Sequence, residues 1–257
     1  MQKFILIRTY KEGDESVCKE LLKASVMYSL NHTYIGFLLG VNAMRIINIL
    51  SIVFMFVLML REYPVGYCSI VLFVPPIILY IGLYAKFLYE ARILGNEVSE
   101  IPRIFTPENS SRFWIAEAYE DLSANNQEQD QQYVFMTEET LNYYNGDVSK
   151  HNKEIVGIMS VCKSNWDPRI GCLKCFYIKK NYRRKRIGTQ LMNHAMDFAE
   201  DQQFECVKTI VSQFQKHIIN FYNSRNYAVT AVRDKTFLVS ITLYEYVFRT
   251  RYSSLNN

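Results

Sequence analysis

The stretch Phe176-Tyr177-Ile178-Lys179-Lys180-Asn181-Tyr182-Arg183-Arg184-Lys185-Arg186-Ile187-Gly188-Thr189 decides how this chain is read. It begins in a run with the character of a β-strand, Leu173 to Ile178, and ends at the start of an amphipathic helix. From Ile187 to about Gln202 the residues Ile187, Leu191, Ala195, Phe198 and Ala199 fall on one helical face. Between strand and helix, six of the eight residues from Lys179 to Arg186 are basic. The first turn of a helix leaves backbone N–H groups unpaired and carries a partial positive charge. A basic loop feeding such a turn is an anion site suited to a pyrophosphate. The guanidinium forks of Arg183, Arg184 and Arg186 and the ammonium of Lys185 add donors there. Gly188 permits close backbone approach to a phosphate, and Thr189 adds a hydroxyl. Taken alone, the same run also fits a solvated face, a nuclear-import patch or a lipid-headgroup contact.

Working outward, residues 3–8 read as a strand and Asp14 to Ser29 as a helix, with Asp14 as N-cap. Phe113–Tyr119, Ile155–Cys162, Leu173–Ile178 and Val207–Ser212 read as strands, and His217–Ser224 as a helix. Residues 228–232 and 238–248 close the chain as a strand pair. Residues 120–154, rich in Asn, Gln and acidic side chains, read as a polar insertion, mobile at least in part. The fold class is therefore α/β (α+β), a mixed central sheet with flanking helices.

The order is interrupted by two apolar runs. Ala43 to Leu60 carries one charge, Arg45, near its start, and Val65 to Ala85 carries none. A bilayer core needs about 20 apolar helical residues. The linker Arg61-Glu62-Tyr63-Pro64 is short, and tyrosines 63, 67, 80 and 84 lie near the run ends, as in aromatic belts. Pro75-Pro76 predicts a kink in the second run. The first strand and helix must pack on elements beyond the hairpin, which requires an even number of crossings. Arg45, Lys86, Arg92 and Arg103 flank the pair, so both termini are expected on the cytoplasmic side. The expected domains are 1–42 (first strand and helix), 43–90 (transmembrane hairpin) and 91–257 (main domain).

The net charge of +4 gives no reason to expect nucleic acid. The six cysteines form no disulfide framework and read as reduced thiols. Cys172 and Cys175 have C-x-x-C spacing but sit on a strand, where positions three apart point to opposite faces, so no metal site is expected.

The opening stretch resembles the acetyl-CoA signature Q/R-x-x-G-x-G/A of the GNAT superfamily of acetyltransferases. Arg183 matches the leading Arg and Gly188 the last Gly, while Arg186 stands where the family has its middle Gly. A second stretch, Val207 to Tyr227, resembles the family's late strand followed by Asn-x-x-Ala-x-x-x-Tyr-x-x-x-Gly-Phe. There Tyr222 matches the Tyr, with Gln215, Ile218, Asn226 and Tyr227 at the Asn, Ala, Gly and Phe. The placement of the hairpin is similar to the membrane-bound, camello-like branch of the endoplasmic reticulum and Golgi. The resemblance implies acetyl-CoA as co-substrate, with its pantetheine arm along Phe176, Tyr177 and Ile178. It places the pyrophosphate on Arg183, Arg184, Lys185, Arg186, Ile187, Gly188 and Thr189. Tyr222 would be the general acid toward the CoA thiolate, its phenol being protonated at neutral pH. Glu117, on a strand that could face the acceptor, is the candidate base; Glu154 and water are alternatives. The implied reaction is N-acetylation of a primary amine, a protein lysine or a small conjugate. A GNAT-like acyl-CoA binder of weak activity, or a two-helix adaptor contacting anionic lipid, are the competing expectations.

Overall fold

The computed structural model describes residues 3–97, 101–105, 109–121, 133–143, 151–225, 227–235 and 240–251. The strands are β1 (Phe4–Thr9), β2 (Arg112–Asp121), β3 (Val134–Thr137), β4 (His151–Lys163), β5 (Ile170–Ile178), β6 (Cys206–Ser212), β7 (Ala228–Lys235) and β8 (Ser240–Arg249). The helices are α1 (Glu15–Gly40), α2 (Asn42–Leu60), α3 (Val65–Glu97), α4 (Ile101–Ile104), α5 (Glu138–Tyr143), α6 (Ile187–Asp201) and α7 (Lys216–Asn223). The strand order is β3-β1-β2-β4-β5-β6-β8-β7. β1 runs parallel to β3 and β5 parallel to β6, whereas β1–β2, β2–β4 and β4–β5 are antiparallel. The fold is mixed α/β, as the sequence pattern requires.

The chain divides into two compact units. The first holds residues 1–25, 94–209 and 247–257; the second holds 26–93 and 210–246. In the first unit, β1 is buried from Phe4 to Arg8 and β4 from Val156 to Cys162, as strands covered on both faces are. One face of the sheet carries Phe113, Ile115 and Ile158 against Cys18, Leu21 and Leu22 of α1 and Ile101 of α4. The other receives α6, whose Leu191, Met192, Ala195, Phe198 and Ala199 are buried, with Phe198 edge-on to Trp114. Burying a large aliphatic or aromatic side chain stabilises by about 1.5–3 kcal/mol, so these two layers hold the unit together. Burial pushes the Cys18 thiol up to about 12, and all six cysteines are thiols rather than disulfide halves.

Three elements differ from the sequence reading. α1 continues to Gly40 rather than ending at Ser29. In the second unit, Ser29 Oγ accepts a hydrogen bond from Gln215 Nε2 at 2.9 Å, and Phe214 lies so close to Gly36 that a Cβ would meet its ring at 2.1 Å. Tertiary contact thus extends a helix whose polar Asn31, His32 and Thr33 obscure its periodicity. Within the insertion, β3 adds to the β1 edge and α5 follows, its start capped by Thr137 Oγ1, which accepts the Thr140 N–H at 3.3 Å. Four strand residues amid polar neighbours leave no periodic signal. Residues 122–132 and 144–150 of the insertion, together with Asn226 and residues 236–239, lie outside the described residues. Third, α3 continues through Pro75 and Pro76 to Glu97, well past the Ala85 end of the apolar run.

Candidate active site

The first unit contains every residue expected to hold the cofactor. β5 ends at Ile178, a 3-10 turn spans Lys180–Tyr182, and α6 begins at Ile187. Between them Arg184 and Arg186 take φ of +62° and +63°. The left-handed region costs an L-residue of this kind about 1–3 kcal/mol. This is the physical reason a glycine suits position 186. Arg186 nevertheless adopts the same backbone, so the substitution leaves the loop's path in place and adds a guanidinium. Thr189 and Gln190 donate to the Arg186 carbonyl at 3.0 and 3.1 Å. Among the described residues the Ile187 and Gly188 amides donate to no protein acceptor. They form the open end of a 15-residue helix, the standard setting for a bound phosphate.

The side chains of the loop divide sharply. Arg184 and Arg186 are exposed and have no acceptor among the described residues. Arg183 donates through Nε to the Ile178 carbonyl at 3.0 Å and lies over the Tyr177 ring, so it ties the loop to the end of β5. Lys185 Nζ lies 4.9 Å from the ring centres of both Tyr133 and Tyr182. A Cβ at Gly188 would meet Phe176 Cζ at 3.0 Å and Ile178 Cδ1 at 3.1 Å. The glycine therefore also lets α6 pack closely on β5.

Phe176, Tyr177 and Ile178 pair with Met159, Ile158 and Gly157 of β4. The register slips at Ser160, whose hydroxyl accepts the Cys175 N–H at 3.2 Å. On its other side β5 pairs with β6 only from Ile170 to Cys172, opposite Cys206 to Lys208. Leu173–Ile178 lies beyond that ladder, so this edge of β5 is where an extended ligand could add main-chain hydrogen bonds.

The candidate base behaves otherwise. Glu117 is 4% exposed. Its Oε2 accepts Arg8 Nε at 3.2 Å and Tyr119 Oη at 2.9 Å. Arg8 also grips Asp14 through both terminal nitrogens, at 2.6 and 2.9 Å. Burial alone would raise the Asp14 carboxyl, but hydrogen bonds from Arg8 and the Lys11 amide outweigh it and hold the group below the ordinary carboxylate value. Glu117 is thus part of a buried ionic network that joins β1, β2 and the start of α1. As a base it would have to break its pair with Arg8, which corrects the open strand carboxylate expected from sequence.

Glu154, the alternative, sits at the register position opposite Ala118 and so on the sheet face opposite Glu117. It pairs with Lys179 Nζ at 2.7 Å and accepts Tyr182 Oη at 2.9 Å. The Lys179 hydrogen bond is the main reason its carboxyl is held low. Glu120 shares this face: Tyr133 Oη donates to it, and Tyr182 Oη lies 3.3 Å away. The sequence reading gave no role to Glu120 or Tyr133. They belong to the insertion and its border, 13 positions apart, with no motif to join them.

Tyr222 belongs to the second unit, on α7, and is 1% exposed. Its ring stands 5.5 Å from Phe221 and 5.0 Å from Tyr246, whose hydroxyl donates to Asn223 Oδ1 at 2.8 Å. Gln215 precedes α7: its Oε1 accepts the Ser212 N–H at 3.3 Å while its Nε2 reaches Ser29. Among the described residues no group of His, Cys, Asp and Glu is arranged to hold a metal.

Residues 101–227 match the model of the acetyltransferase (GNAT) family. No curated protein matches the sequence. Among solved structures, the chain is similar to a GNAT family acetyltransferase from Staphylococcus aureus Mu50. Identity there is 12%, over 94% of this chain and 98% of that one, with a TM-score of 0.47. It is similar also to the PaiA N-acetyltransferase of Thermoplasma acidophilum in complex with coenzyme A, at 14% identity over 94% and 97%, TM-score 0.45. A Streptococcus agalactiae acetyltransferase gives 13% identity over 95% and 98%, TM-score 0.42. At these scores the likenesses add nothing to the case made by the family match.

Proposed function

We propose that this chain, whose residues 101–227 match the acetyltransferase (GNAT) family model, is a membrane-anchored, acetyl-CoA-dependent N-acetyltransferase acting on a primary amine. The observation that carries the reading is the junction of β5, the loop 183–186 and α6. It combines open amides at a helix start, two uncommitted guanidiniums and a strand edge beyond its ladder. The pyrophosphate of acetyl-CoA lies on Arg184, Arg186 and the amides of Ile187 and Gly188, with Thr189 beside them. The pantetheine arm runs along Phe176, Tyr177 and Ile178. Arg183 holds the loop to the strand.

The acceptor amine attacks the thioester carbonyl, forming the C–N bond. The tetrahedral adduct then expels the CoA sulfur as a thiolate, which takes a proton; the resemblance of Val207 to Tyr227 to the family's late strand and helix supports Tyr222 as its source. The amine's proton passes to water, because Glu117 is committed to Arg8 and Glu154 to Lys179. The acceptor class is a protein lysine or a small amine conjugate. α2 has no buried residue, and its apolar side chains are exposed along its length; α3 is of similar character. Both helices are long and apolar enough to cross a membrane, which supports a hairpin anchor with both termini on the cytoplasmic face of the endoplasmic reticulum or Golgi.

A second reading, a GNAT-like acyl-CoA binder of weak activity, draws on Arg186 in place of the family's glycine. Calorimetric titration with acetyl-CoA, alongside turnover with a lysine peptide, separates the two. Tyr222→Phe is expected to keep acetyl-CoA binding and lose about 100-fold or more in turnover, the usual worth of a positioned acid. Equal turnover in Tyr222→Phe and the parent removes Tyr222 from the chemistry. Binding without turnover in the parent favours the second reading.

A further inference from the structure

We propose that Tyr133 and Tyr182, anchored by Glu120 and Glu154, clamp Lys185 and so fix the pyrophosphate loop before CoA arrives. Lys185 then acts as a positioning residue rather than a phosphate ligand. The inference rests on the acyl-CoA reading of that loop.

Lys185 stands between the two left-handed residues Arg184 and Arg186, so whatever holds its side chain holds both turns of the backbone. Its ammonium is held by two aromatic rings at once, each 4.9 Å away, and donates to Tyr133 Oη at 3.4 Å. The rings are themselves fixed, with centres 6.4 Å apart. Tyr133 is 8% exposed and donates to Glu120. Tyr182 donates to Glu154, which Lys179 secures from the other side. A cation close to two phenol rings is attracted by both, and the donation of Tyr133 to Glu120 makes its oxygen a better acceptor for the ammonium. Tyr133 directly precedes β3, which pairs with β1. The insertion thus supplies half of the clamp and its own anchor in the sheet. Left-handed backbone at non-glycine residues persists only where its surroundings over-determine it. Here the clamp supplies that constraint at the loop's centre, Arg183 at its start and the buried Ile187 and Gly188 at its end.

A loop already in its bound shape gives CoA nothing to reorganise, so the clamp enters the affinity for the pyrophosphate and not the chemistry at the thioester. The test uses the full-length protein in detergent, titrated with CoA by calorimetry and assayed with both acetyl-CoA and S-acetylpantetheine, which lacks the pyrophosphate. Tyr133→Phe and Tyr182→Phe are each expected to weaken CoA roughly 3- to 10-fold, the worth of one hydrogen bond. The kcat with acetyl-CoA and the KM for S-acetylpantetheine should stay at parental values. In Lys185→Met the loss should be similar, and adding Tyr133→Phe to it should cause no further loss, since both remove one clamp. Parental CoA affinity in both Phe variants overturns the proposal, as does an equal loss with S-acetylpantetheine, which would mean general damage to the fold. Losses that multiply in the double variant make Lys185 a direct phosphate ligand and overturn it too. If the parent itself binds no CoA, the acyl-CoA reading has failed, and the clamp with it.

Discussion

Two networks of glutamate, tyrosine and basic side chains lie on opposite faces of one pair of strands. Around Glu117, Arg8 bridges two carboxylates and Tyr119 caps one of them, with Arg8, Glu117 and Tyr119 buried and Asp14 nearly so. Around Glu154 and Glu120, lysines replace the arginine, two tyrosines replace one, and the Glu154 side chain is 43% exposed. Similar donors and acceptors are used, but their burial differs. In the buried network each charge depends on its partner, because removing one leaves another stranded in a poor solvent. In the open network water can replace any lost partner, so the same bonds contribute little to stability and are free to serve a ligand site. A carboxylate's location in sequence, two or three residues along a strand, says nothing of which kind it is.

The contrast breaks if substitutions on the two sides cost alike. Arg8→Met leaves Glu117 and Asp14 without their cation, and a loss of about 3–5 kcal/mol is expected, read as a large fall in the midpoint of urea or thermal unfolding. Gly188→Val tests the boundary between the networks and the α6 layer. It drives a side chain into Phe176 and Ile178, and overpacking of this kind costs about 1–3 kcal/mol. CoA affinity should fall with it, since α6 must lift from β5. If the Gly188→Val protein is as stable as the parent, the helix is not seated as described. Glu154→Gln is the mildest change, at most about 1 kcal/mol because its ion pair is half-exposed, while CoA affinity should fall more visibly than the unfolding midpoint.

Acid sharpens the comparison further. Asp14 and Glu154 both have folded carboxyls held below their ordinary values of 3.8 and 4.5. Their contribution to stability is complete above those values and is lost as pH falls through the lower folded ones. The part of the unfolding midpoint due to these two carboxyls should therefore stay flat above about pH 5 and drop below about pH 4. In Arg8→Met the part of that drop due to Asp14 should shrink, the Lys11 amide still holding that carboxyl, whereas Glu154→Gln should remove the smaller part.

Much of this architecture could be read from the residues, and the failures have physical causes. β5, α6 and α7 announce themselves because each has one apolar face with a regular period. The position of the loop between β5 and α6 was legible from the strand and helix patterns that flank it. Its internal division was not: whether a basic side chain points to solvent, to a carbonyl as Arg183 does, or to two rings as Lys185 does depends on residues brought in by the fold. The packing of Gly188 against Phe176 and Ile178 was not legible, since the sequence cannot say which side of a helix meets a strand. Glu117 looked available because its partner Arg8 is 109 positions away. β3 escaped notice because four residues carry too little pattern to outweigh the polar segment around them.

The left-handed backbone at Arg186 has a genetic consequence. Every arginine codon becomes a glycine codon by changing its first base. The chain therefore stands one point mutation from the family's own residue at this position, and that mutation relieves strain instead of creating it. Because the backbone already follows the path a glycine would take, the two alleles would differ in one positive charge and a fraction of the loop's rigidity, not in shape. Position 186 is thus a place where lineages can exchange ligand affinity for stability in single steps, without passing through a misfolded intermediate.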